Sequence, residues 1–70
     1  MIEFELEGHE FIALNQLLKL LSLVPTGGEA NQRIEDGDVT VNDTVEKQKR
    51  KKLRAGDIIT FDDQEIIIRS

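Results

Sequence analysis

Thr26–Arg54 reads TGGEANQRIEDGDVTVNDTVEKQKRKKLR. Thr26 and Glu29 have the spacing of a capping box. The Thr hydroxyl can accept from the amide at the third helical position, and the Glu carboxylate can reach back to the Thr amide. A helix is expected from Thr26, with Ala30 and Ile34 pointing inward and Asn31, Gln32 and Arg33 on its outer face. Asp36-Gly37 stops it, because Gly readily takes the left-handed conformation found at helix C-termini. Val39-Thr40-Val41 then alternates as a strand, Asn42-Asp43 is turn chemistry, and Thr44-Val45 turns back as a hairpin. A dense basic run follows, Lys47, Lys49, Arg50, Lys51, Lys52 and Arg54, with Leu53 as a buried anchor inside it.

Working outward from this stretch, Ile2, Phe4 and Leu6 alternate with Glu3, Glu5 and Glu7. Period 2 predicts an antiparallel, half-buried strand with one acidic face. Gly8-His9-Glu10 breaks it. A helix is expected over about Ala13 to Leu23, where Leu14, Leu17, Leu18 and Leu21 share one face and Leu20 and Leu23 widen the apolar stripe. Asn15 or Glu10 is the expected cap. Val24-Pro25 ends this helix, because the residue before a Pro disfavours the helical region. On the other side, Ala55-Gly56-Asp57 is a turn, Ile58-Ile59 and Phe61 form a strand, Asp62-Asp63 turns, and Ile66-Ile67-Ile68 returns. The Ile triplet cannot alternate in polarity, so this strand is expected to be buried on both sides or to end in the core. The order strand, helix, helix, then strands predicts one α+β domain over residues 1–70, two helices packed on a small antiparallel sheet.

Seventy residues with no cysteine exclude a disulfide framework, thiolate metal sites and a Cys nucleophile. Phe11 to Val24 is too short to span a bilayer and is interrupted by Asn15, Gln16 and Lys19, and the acidic residues before it do not suit a signal peptide. A cytoplasmic protein is expected. The net charge of −5 conceals a strong polarity. Residues 47–54 hold six Lys or Arg and no acid, while the remainder holds three basic residues against fourteen acidic, a charge of −11. Such a patch steers a polyanion to one face while the body repels it elsewhere. A merely solvated loop is the alternative reading.

No catalytic set is visible. One His and no Tyr, Trp or Cys leave few nucleophile–base pairs, and the Asp residues of the turns are there for turn chemistry. No enzyme activity, cofactor, metal or small-molecule substrate is expected. Nucleic-acid binding remains, because the cationic run sits beside a helix start whose Gly27 and Gly28 bare their amides. The same glycines could instead make room for packing against the first helix. The three Phe residues lie in apolar patterns, so base stacking is not expected. Shape recognition of structured RNA through phosphates and 2′-hydroxyls is.

TGGEANQRIEDGDVTVND followed by EKQKRKKLRAGD resembles the S4-type RNA-binding domain, over about Ala13 to Phe61. The short chain with its N-terminal strand looks most like the small stand-alone bacterial YbcJ-type S4-like proteins. The resemblance implies an αL motif, two helices and a hairpin forming an L-shaped surface. It implies an RNA-binding set of Thr26, Gly27, Gly28, Gln32, Asn42, Lys47, Lys49, Arg50, Lys51, Lys52 and Arg54. Two departures from the family pattern stand out. Many members begin the first helix with Arg-Leu-Asp, where Ala13-Leu14-Asn15 stands here, and Lys is common where Asn31 sits. Both changes shift weight onto the basic run. The expectation is non-catalytic binding of structured RNA, ribosomal or tRNA-like, by a monomer. The alternative is a protein-interaction module whose basic face docks an acidic partner. A β-grasp sulfur carrier would need a Gly-Gly tail where Arg69-Ser70 stands.

Overall fold

The computed structural model describes residues 1–70. Its elements in chain order are β1 (Ile2–Glu5), β2 (Ile12–Ala13), α1 (Leu14–Leu20), α2 (Gly27–Glu35), β3 (Val39–Val41), β4 (Thr44–Val45), β5 (Lys52–Leu53), β6 (Ile58–Phe61) and β7 (Gln64–Arg69). Five strands form one sheet in the order β1-β7-β6-β3-β4, and β2 pairs with β5 in a separate two-stranded ladder. The architecture is the expected α+β one, with one correction to the sheet. β1 runs parallel to β7, Ile2 opposite Ile66 and Phe4 opposite Ile68, so the sheet is mixed. Period 2 reports which side chains face inward and says nothing of the neighbour's direction.

Two tight turns set the register. Asn42 and Asp43 have φ of 52° and 68°, and Asp62 and Asp63 have φ of 48° and 65°. Both central residues of each two-residue loop are left-handed, the type I′ geometry whose twist matches that of the flanking strands. Asn and Asp tolerate it because their short side chains bond locally. The inward row across the sheet is Ile2, Ile66, Ile59 and Val41. Ile67 faces the other way and is half-buried opposite Ile58. The Ile triplet therefore does alternate in burial, with Ile66 and Ile68 in the core.

One cluster of fifteen buried residues, all apolar, joins the sheet to the helices through Leu14, Leu17, Leu18, Ala30 and Ile34. Leu53 is fully buried in the same cluster, so the basic run is pinned to the core at its middle. Leu20 is 60% exposed and does not widen the buried stripe. α1 ends sooner than expected. Ser22 adopts φ 58°, its amide bonds to the Lys19 carbonyl, and Leu23 donates back to Leu18. That is a Schellman stop with serine at the left-handed position, three residues before Pro25. α2 ends the same way with Gly37 at φ 82°, its amide on the Ile34 carbonyl and the Asp38 amide on Arg33. No helix is long and apolar enough to cross a membrane.

Candidate nucleic-acid interface

Thr26 caps α2 as its spacing predicts, with its hydroxyl accepting from the Glu29 amide at 3.1 Å. Gly27 and Gly28 follow. A Cβ on Gly27 would meet nothing within 4 Å, and one on Gly28 would meet only the Thr26 Oγ1 at 3.9 Å. Packing against α1 therefore does not require either glycine. Two glycines in a first turn cost helix stability, roughly 1 kcal/mol each relative to Ala, and nothing inside the fold calls for them. Bare amides open to an approaching group are what they provide.

α1 has no side-chain cap. Its N-cap position is Ala13, and neither Asn15 nor Glu10 fills the role. The basic run does so with its backbone. The amides of Leu14 and Asn15 donate to the carbonyls of Lys51 and Lys49 at 2.9 and 3.0 Å. The β2–β5 ladder, with Ala13 opposite Lys52 and Ile12 opposite Leu53, fixes the same segment in register. Residues 49–53 are thus an ordered ribbon across the start of α1 and not a solvated loop.

From this ribbon the cations fan out. Arg50 and Lys52 meet Gly27 and the polar side of α1, namely Asn15, Gln16 and Lys19, around an open cleft of about 490 Å³. Lys51, Lys52 and Arg54 line a neighbouring groove with Asn42. Lys47 and Lys49 lie toward the far end of α2. Lys49 pairs with Glu35 at 3.0 Å, and the Lys47 stem passes over Gly37. The expected set is therefore divided between a central cleft, a flanking groove and the C-terminal end of the helix. Gln32 and Asn42 are also engaged within the fold. Gln32 donates to Asp36 at 2.9 Å, while Asn42 donates to Asp57 and accepts from the Ile58 amide.

The basic residues sort into two kinds. Arg33, Lys49 and Arg69 have carboxylate partners. Lys19, Lys47, Arg50, Lys51, Lys52 and Arg54 have none within 4.0 Å, in a chain with fourteen acidic residues. Arg33 is bound most completely. It meets Asp38 at 2.7 Å and Asp62 at 2.6 Å, and its guanidinium lies 4.6 Å from the centre of the Phe61 ring. The hydrogen bond it donates to Asp38, then the one it donates to Asp62, raises its pKa above the ordinary arginine value. Arg33 ties α2 to the segment after its stop, at Asp38, and to the Asp62-Asp63 turn, and adds nothing to the open patch.

Comparison with known proteins places the chain in a family. The S4 domain profile matches residues 4–69. The chain belongs to the S4 domain family. It is 38% identical over 61 residues to YbcJ of Escherichia coli (strain K12), a candidate RNA-binding protein, covering 87% of each chain. It is 34% identical over 53 residues to RlbA of Bacillus subtilis (strain 168), a candidate ribosome maturation protein, covering 76% of this chain and 75% of RlbA. The solution structure of E. coli YbcJ, described as revealing an αL motif involved in RNA binding, superposes with a TM-score of 0.76 at 33% identity. That match covers 100% of this chain and 89% of YbcJ. In this S4 domain Asn15 and Asn31 touch each other across the two helices. Asn15 Nδ2 donates to Asn31 Oδ1 at 2.9 Å in a part-buried bond between the helices. A neutral amide pair thus links α1 to α2.

Five cleft residues stood outside the expected set: Phe11, Ala13, Asn15, Gln16 and Lys19. The polar trio at i, i+1 and i+4 marks one side of α1 and was a usable signal. Phe11 was not legible, because its neighbours Ile12 and Leu14 are core residues while Phe11 itself is 38% exposed. The expectation that every Phe lies in an apolar setting is corrected at this position.

Proposed function

We propose that this S4 domain binds structured RNA, ribosomal or tRNA-like, as a cytoplasmic monomer and performs no chemistry on it. The observation that carries the proposal is the set of cations without carboxylate partners, half of them (Arg50, Lys51 and Lys52) on one ordered ribbon, in a protein rich in acids. Like charges held close together cost free energy unless a polyanion neutralises them. Arg50 and Lys52 take phosphates in the cleft beside the amides of Gly27 and Gly28, which Thr26 holds in place through its cap. Lys51 and Arg54 extend the contact along the groove, and Lys47 and Lys49 along α2. Gln32 and Asn42 are exposed and each keeps one amide hydrogen free for a 2′-hydroxyl or phosphate oxygen. The names of the relatives, an RNA-binding protein and a ribosome maturation protein, agree with this reading.

The test reverses Lys49, Arg50, Lys51 and Lys52 to Glu. Wild type should be retained on ribosomal RNA at moderate salt, with the binding constant falling by roughly 0.7–0.9 log units per log unit of salt for each phosphate neutralised. The reversed protein should show no retention and an unchanged circular dichroism spectrum. Unchanged retention defeats the proposal. A flat salt response in the wild type would favour an acidic protein as the partner.

A further inference from the structure

The three phenylalanines differ in what covers them. Phe61 is 1% exposed and packed in the core, and Phe4 is half-buried against it. Phe11 stands outside the core cluster, in the lining of the cleft, beside two unpaired cations. Lys52 Nζ lies 5.0 Å and Arg54 Cζ 5.7 Å from the centre of its ring. These are cation–π distances, and they hold the ring on the surface among groups that attract phosphate. An exposed aromatic next to phosphate-binding cations is the pairing used by proteins that bind unpaired nucleotides. The ring takes the base, and the cations take the backbone on either side.

We propose that Phe11 is a stacking platform for one unpaired nucleobase, a bulged or loop nucleotide within the structured RNA. The inference rests on the RNA-binding reading above and deepens it. Lys52 and Arg54 lean on the ring in the free protein and turn to the flanking phosphates when the base arrives. Asn15 and Gln16 line the same cleft, and their amides can donate and accept toward the edge of the stacked base. Phosphate contacts alone would not distinguish a paired helix from one with an extruded nucleotide. Phe11 gives the domain that distinction.

The experiment compares wild type, Phe11→Tyr and Phe11→Leu on two RNA hairpins, one fully paired and one carrying a single unpaired 2-aminopurine. Wild type and Phe11→Tyr should prefer the bulged hairpin by about tenfold and quench its fluorescence through stacking. Phe11→Leu keeps apolar bulk without the ring. It should bind both hairpins alike, with no quenching and an unchanged salt dependence. Equal binding of the two hairpins by wild type, or a preference that survives in Phe11→Leu, overturns the stacking role and leaves the RNA-binding reading standing. Failure of wild type to bind either hairpin or ribosomal RNA overturns that reading itself. Thermal melts of all three proteins exclude unfolding as the cause of any loss.

Discussion

Arg33 and Arg50 carry the same guanidinium in opposite settings. Arg33 is clasped by Asp38 and Asp62 and backed by Phe61. Arg50 stands on an exposed ribbon with no carboxylate within 4.0 Å. The first joins α2 to Asp38 and to the Asp62-Asp63 turn, and its charge is met inside the fold. The second is left for something outside it. Arg50 pairs with none of the fourteen acidic residues, and under the proposed function its charge is met by RNA phosphate. Formal charge alone does not separate a strut from a binding group. Local pairing does.

The contrast can be broken at three points, from the largest effect downward. Leu53→Ala attacks the ribbon's anchorage. Leu53 is fully buried, so truncation should cost about 3 kcal/mol, read as an earlier midpoint in urea unfolding. A protein as stable as wild type would mean that the ribbon rests on the core without being fastened to it. Arg33→Gln and Arg50→Gln then form a crossed pair. Arg33→Gln should lower the melting temperature and leave RNA affinity unchanged for the folded protein, and Arg50→Gln should do the reverse. If both substitutions moved the same quantity, the division between strut and binding group would collapse. Smallest is Glu35→Gln, which frees Lys49 from an exposed pair and moves it into the open set. Stability should change by under about 0.5 kcal/mol, while retention on ribosomal RNA rises, measured at matched salt.

Most of the region from Thr26 to Arg54 was legible because its signals are local. The Thr26 cap, the Gly37 stop, the Asn42-Asp43 turn and the Leu53 anchor each follow from a few adjacent residues. What escaped is non-local. The parallel pairing of β1 with β7 joins the two ends of the chain, and alternation alone does not specify a partner. Capping of α1 by carbonyls of the ribbon leaves no trace in side-chain identity, so the expected side-chain caps were misplaced. The α1 stop at Ser22 was also hidden, since serine is an uncommon choice for a left-handed position. At the interface, composition located the cations but not their partners. Pairing of Lys49 with Glu35 and the exposure of Phe11 depend on the folded geometry.

The ribbon's inward task is performed by main-chain oxygens, and those of Lys49 and Lys51 cap α1 whatever side chains they carry. Residues 49–52 can therefore be rewritten, lysine for arginine or either for glutamine, with little penalty to the framework. Preference for one nucleic-acid target over another is free to drift on a scaffold that does not register the change.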